Sequence, residues 1–215
     1  MLTPAADSVN SAASFYISAN IRGMAIEDRR TRERAARRAL ITTTARKLAE
    51  QEGWDAVTTR RLSTEIEYSQ PVLYKHFSSM EGVVASVAVQ GFGELADALS
   101  SARSGATDGG DALTRVAHAF IRFAHDNPTL FDAMFTRATT LHFAAPDTPA
   151  ELNAAFAELR AAVGMVAGTR DVDTLTEVLW AALHGLVTLD RGGRLRPEYR
   201  AARVDLLLSE FSQPT

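Results

Sequence analysis

The stretch from Thr58 to Phe77, T-T-R-R-L-S-T-E-I-E-Y-S-Q-P-V-L-Y-K-H-F, constrains the fold more than any other part of the chain. It divides into two short helical patterns with a tight break between them. Thr58 and Thr59 offer side-chain oxygens to the orphan amides of a first turn. Leu62 and Ile66, four residues apart, then share one face. The pattern stops at Glu67-Tyr68 and restarts at Ser69-Gln70-Pro71. Proline suits a first helical turn, where its missing N–H has no partner to lose, and it biases Gln70 away from α geometry. A second helix is therefore expected to begin near Pro71. Leu73 and Phe77 would face the first helix. Gln70, Val72, Lys75 and His76 would form the opposite face, with Tyr74 at its edge. Two helices joined in this way form the helix-turn-helix pattern, whose second helix enters a DNA major groove.

Together with the helical stretch before it, Glu50 to Phe77 resembles the DNA-binding domain of the tetracycline-repressor (TetR) family. The shared features are a basic first helix ending in Gly53, the opening Thr58-Thr59-Arg60, and the L-Y-K-H-F ending at Leu73 to Phe77. The run Gln70 to Tyr74 is similar to the family's recognition helix. Two positions depart from the pattern. Glu67 stands at the inter-helix turn where the family has glycine, and a non-glycine in the left-handed region costs roughly 1–2 kcal/mol. Met80 replaces a lysine that holds a backbone phosphate. The resemblance implies that Arg60, Gln70, Pro71, Val72 and Tyr74 contact bases. Arginine suits guanine and glutamine suits adenine, while Pro71 and Val72 can pack on thymine methyls. Thr59, Tyr74, Lys75 and His76 are the candidates for phosphate contacts.

The charge distribution agrees with that reading. The 215 residues carry a net charge of −3, which by itself argues against a nucleic-acid partner. Residues 1–80, however, hold 12 Lys+Arg against 9 Asp+Glu, whereas residues 81–215 hold 11 against 17. A basic reader on an acidic body gives this asymmetry. Six arginines crowd residues 29–38 (Arg29, Arg30, Arg32, Arg34, Arg37, Arg38). They suit either a solvated face or a contact with phosphate or a minor groove. The chain has no cysteine, which excludes disulfides, thiolate metal sites and thiol catalysis and fits a cytoplasmic protein. No apolar run approaches the roughly 20 residues of a membrane span, and no signal-peptide pattern precedes the body. No membrane partner is expected.

Periodicity points to an all-α fold in three parts. Residues 1–27 read as a flexible N-terminal tail with no sustained period, and Met24 would make an ordinary start. Residues 28–78 read as the three-helix DNA-binding domain, its first helix running from Asp28 to Glu52. Residues 79–215 read as a helical regulatory and dimerisation domain. Its first helix opens at a capping box, Ser78-x-x-Glu81, and runs to about Ser101. Further helices are expected over about 111–125, 128–139, 150–166, 172–190 and 197–211. No alternating strand pattern interrupts them.

In the body, Asn127-Pro128-x-Leu130-Phe131 and Trp180-x-x-x-His184-Gly185-Leu186 resemble the regulatory domain named for its W-H-G residues within the same family. The resemblance implies helices around a cavity for a small apolar effector, with Phe123, Phe131, Met134, Phe135, Trp180 and His184 as its walls. Aromatic residues at helical spacing equally suit a plain core, and His184 suits either a polar anchor or a satisfied core histidine. The last two helices are expected to form a homodimer. Leu175, Val178, Leu179, Ala182, Leu186 and Leu189 make one face; Val204, Leu207, Leu208 and Phe211 make the other. The same residues could instead close the monomer core.

Two other functions compete with a ligand-responsive DNA-binding repressor. His118, Arg122 and His125 share a helix face near Asp126, Asp132 and His142, which admits a helical metal-dependent enzyme. No H-x-x-x-H, H-E-x-x-H, Gly-rich phosphate loop or G-x-S-x-G elbow supports it, and neither a metal, a cofactor nor enzymatic activity is expected. A purely structural helical module is the remaining alternative.

Overall fold

The structure is a computed structural model that describes residues 6–137, 141–143 and 145–212, with side chains from Glu27 onward. Every regular element among the described residues is helical. The helices are α1 (Ala6–Glu52), α2 (Thr59–Glu65), α3 (Gln70–His76), α4 (Met80–Ser104), α5 (Gly109–Asp126), α6 (Pro128–Asp132), α7 (Ala150–Gly164), α8 (Val172–Arg191) and α9 (Arg200–Phe211). Helix α6 continues into a π-helical turn, Ala133–Arg137. The helix expected to end near Thr139 has that end outside the described residues.

Helix α1 is longer than its sequence pattern suggests. It spans 47 residues and takes in most of the segment expected to be an irregular tail; residues 1–5 lie outside the described part. Between Ala6 and Glu52 the strong helix breaker is Gly23, and the rest is rich in alanine and arginine. A helix nucleated by its docked half can propagate through such a sequence without burying a face. Among the described side chains of α1, burial begins at Ile41 and continues through Thr42, Ala45, Leu48 and Ala49. Gly53, at φ 83°, ends the helix, a conformation glycine adopts without a Cβ penalty.

Helices α2 and α3 follow closely on α1. The Thr58 side chain caps α2 by accepting from the Arg61 N–H at 3.2 Å. Glu67 sits at φ 56°, so the turn keeps its left-handed geometry despite the missing glycine. Ser69 precedes α3 in extended backbone, and Pro71 lies in its first turn. The cap of α4 is Ser79, not the expected Ser78; its hydroxyl accepts from the Gly82 N–H at 3.3 Å.

Helix α4 is the spine of the molecule. It packs against α1, α5, α6 with its π turn, and α7. The start of α4 meets α1, where the Thr42 and Ser86 hydroxyls lie 2.9 Å apart, and Phe92 lies edge-on to Phe135 in the body, so one apolar core runs through both. Each large apolar side chain buried in it contributes about 1.5–3 kcal/mol by leaving water. Gly91 permits the closest approach: a Cβ there would stand 2.7 Å from Met134 Sδ and 2.9 Å from a Leu130 methyl. By length and hydropathy α4 and α8 each resemble a membrane span, which a search for unbroken apolar runs does not reveal. Both bury one side against this core.

Candidate nucleic-acid interface and ligand cavity

Leu62 of α2 and Leu73 and Phe77 of α3 are buried beneath the helix-turn-helix. Arg60, Gln70, Pro71, Tyr74 and Lys75 are exposed above them, while Thr59, Val72 and His76 are half-buried. The Thr59 and Tyr74 hydroxyls stand 3.5 Å apart, bringing the start of α2 to the middle of α3. All eight sequence-derived residues therefore lie on these two short helices, five of them fully on the outer face. Arg61, between them, is turned to structure: it pairs with Glu52 of α1 at 2.8 Å.

The arginine cluster divides into two kinds. Arg38 hydrogen-bonds to the His76 carbonyl at the end of α3 and lies 4.1 Å above the Phe77 ring. It pins the second helix to α1, and its positive charge suits a helix C-terminus. Arg29, Arg30, Arg32, Arg34 and Arg37 are exposed. Burial lowers the His76 pKa, and the charges of Arg37, Arg34, Arg38 and Lys75 lower it further. The His76 Nδ1 is buried without a hydrogen-bond partner among the described residues. Met80 packs against the core where the family's lysine would reach outward.

The body holds an open cavity of about 350 Å³ lined by Met134, Phe135, Phe143, Trp180, Ala181 and His184. Four of the six sequence-derived wall residues are among them. Phe131 lies one layer behind, its ring stacked on His184 at 5.6 Å and 20°. Phe123 is buried in the core and lines no part of this cavity. Phe143 and Ala181 are additional walls. A loop aromatic such as Phe143 has no helical period to announce it, and Ala181 is one helical step from Trp180. Burial lowers the His184 pKa.

The same segment that walls the cavity touches the N-terminal helices. The Trp54 indole donates to the Thr129 carbonyl at 2.9 Å. Arg137, at the end of the π turn, pairs with Asp55 at 3.1 Å. Met134 presses on Gly91 of α4.

Helices α8 and α9 separate the proposed dimer residues into two sets. Val178 and Leu189 are exposed, and Leu175, Ala182, Leu186 and Leu207 are half-buried. Leu179, Val204, Leu208 and Phe211 are buried within this chain, so they belong to its own core rather than to an outer face. An amphipathic pattern does not distinguish the two destinations. Leu206, 66% exposed, takes their place on the surface of α9. Gly185 meets nothing within 4 Å at its Cβ position, so no packing inside this chain requires it to be glycine.

The residues weighed as a metal site do not converge. His118 pairs with Asp205 at 3.4 Å and His125 with Asp190 at 3.3 Å. Asp190 is also held by Arg200 at 2.7 Å, tying α5, α8 and α9 together. Among the described residues, no three His, Asp or Glu side chains gather as metal ligands.

Comparison with known proteins places both halves. Residues 41–87 match the model for bacterial regulatory proteins of the tetR family, and residues 113–211 match the tetracyclin repressor-like C-terminal domain. An uncharacterised helix-turn-helix transcriptional regulator of Bacillus subtilis is 31% identical over 98 residues, covering 44% of this chain and 49% of its own. One from Mycobacterium tuberculosis is 31% identical over 147 residues, covering 67% and 65%. The matched regions thus span about half to two thirds of these curated relatives. Among solved structures, the TetR-family transcriptional regulator PfmR of Thermus thermophilus shares the fold, with a TM-score of 0.56 at 23% identity over 79% of this chain and 97% of that one. With a helix-turn-helix model at one end and the matching regulatory-domain model at the other, the chain belongs to the TetR family of bacterial transcriptional regulators.

Proposed function

We propose that the protein is a homodimeric transcriptional repressor that binds a palindromic double-stranded DNA operator and releases it on binding a small apolar effector. The observation that carries this reading is the outer face of α3. Gln70, Pro71, Tyr74 and Lys75 are exposed there, with Arg60 on α2, while Leu62, Leu73 and Phe77 hold the helices from below. Arg60 and Gln70 are the base readers, Pro71, Val72 and Tyr74 supply apolar and edge contacts, and Thr59, Lys75 and His76 fix the register on phosphates. Acting on DNA implies a cytoplasmic location. The functional division falls near residue 78, with a DNA-binding unit before it and a regulatory and dimerisation unit after it.

Val178, Leu189, Gly185 and Leu206 support a second copy packing along α8 and α9. A twofold axis there would present two α3 helices to half-sites about 34–36 Å apart. The cavity is the effector site. An effector that prefers one arrangement of Met134 and Phe135 biases the π turn, and through Trp54, Asp55 and Gly91 it biases the N-terminal helices. It lowers DNA affinity by as much as it prefers that arrangement. Selection of bound sequences from random DNA tests the reading. A palindromic consensus supports it, and the absence of any consensus refutes it.

A further inference from the structure

The cavity walls restrict the chemistry of what enters. Phe135, Phe143 and Trp180 surround it with rings, Phe143 and Trp180 lying 5.3 Å apart and tilted by 46°. Phe135 is 6.3 Å from Trp180 and 5.1 Å from His184. Such walls favour a flat ring that can meet them edge to face. A volume of about 350 Å³ accommodates one or two fused rings.

Charge is restricted further. Among the described residues no Asp, Glu, Lys or Arg lines the cavity, so an ionised ligand would lose its hydration without a counter-charge. Aromatic walls can hold cations, but no carboxylate among the described lining residues would pair with one, and the Arg191 guanidinium over the Phe131 ring is itself paired with Asp132 at 2.9 Å. Among the described lining residues, His184 and the indole N–H of Trp180 are the polar groups, and His184 alone offers an acceptor. Its imidazole is fixed between Phe131 and Phe135, and in its neutral form it offers one acceptor and one donor.

We propose that the effector is an uncharged aromatic molecule carrying a hydroxyl group, a phenol or naphthol, whose ring lies among Phe135, Phe143 and Trp180 and whose hydroxyl donates to the imidazole of His184. This rests on the reading of the cavity as an effector site and specifies its guest.

Four matched probes test it by isothermal titration of the full-length protein: 2-naphthol, naphthalene, 2-naphthoate and a naphthyl trimethylammonium. The expected order has 2-naphthol about tenfold tighter than naphthalene, the worth of one added hydrogen bond, with both ions weaker still. His184→Phe should erase the naphthol advantage, and His184→Gln, which keeps a hydrogen-bonding group, should retain part of it. Circular dichroism of both variants establishes that they fold. Equal binding of naphthol and naphthalene overturns the role of His184. Tightest binding of either ion, or no binding of any probe, overturns the ligand class and leaves the DNA reading intact. Naphthol binding in the expected order without loss of DNA affinity supports this inference and instead refutes effector-driven release.

Discussion

The Trp54 indole N–H donates to the Thr129 carbonyl across 2.9 Å, joining the turn after α1 to the first turn of α6. Trp54 belongs to the N-terminal helices and Thr129 to the segment that carries Met134 and Phe135 into the cavity wall. Trp54→Phe keeps a ring but removes the donor and leaves the carbonyl unpaired. It should destabilise the protein by about 1 kcal/mol, lowering Tm by roughly 2–4 °C. Arg137→Ala, which breaks the exposed pair with Asp55, should move Tm far less. Differential scanning calorimetry on both variants makes the comparison.

Gly91 should tolerate alanine poorly, whereas at Gly185 only a second copy could object to it. Replacing a helical glycine by alanine ordinarily stabilises by about 1 kcal/mol. At Gly91 the new methyl would collide with Met134 and Leu130, and overpacking costs about 1–3 kcal/mol. At Gly185 no atom of this chain stands in the way. Urea denaturation of Gly91→Ala should show a lower midpoint than the unaltered protein; an unchanged or raised midpoint would mean that α4 and the π turn do not pack this closely.

Arg38 and Arg34 lie one turn apart on α1 but should have separable roles. Arg38→Ala loses the bond to the His76 carbonyl and the contact over Phe77, and should destabilise the protein by about 1–2 kcal/mol. Arg34→Ala removes an exposed side chain and should leave stability within about 0.5 kcal/mol, while weakening DNA binding and reducing its salt dependence. Denaturation midpoints and salt-dependent DNA titrations distinguish the two.

Val178 is 53% exposed in the single chain. Val178→Asp should therefore leave the monomer folded, with an unchanged circular dichroism spectrum, and abolish the dimer in sedimentation equilibrium. A variant that stays dimeric would place the interface elsewhere.

The parts of this fold that were legible in the sequence are those governed by local rules. Two periodic helices, a proline in a first turn and buried Leu62, Leu73 and Phe77 define the helix-turn-helix without tertiary information. Glu67 stands at a turn that favours glycine, and it is at φ 56°. The length of α1 is not legible, because the sequence of its first half has no sustained apolar period, although helix propensity needs none. The π turn and the Trp54–Thr129 bond were not legible at all, since each depends on residues brought together by packing. Leu179, Val204, Leu208 and Phe211 show the limit of periodicity: it identifies a face that avoids water without indicating whether the same chain or a second copy covers it.

The most direct test is fluorescence-anisotropy titration of the selected operator and of random duplex DNA, using the unaltered protein, Gln70→Ala and Lys75→Ala. The expected result is that Gln70→Ala loses about 1–3 kcal/mol on the operator and almost nothing on random DNA. Lys75→Ala should weaken both and lower the salt slope by about 1. Equal losses on both DNAs for Gln70→Ala would contradict the assignment of α3 as the reader of sequence.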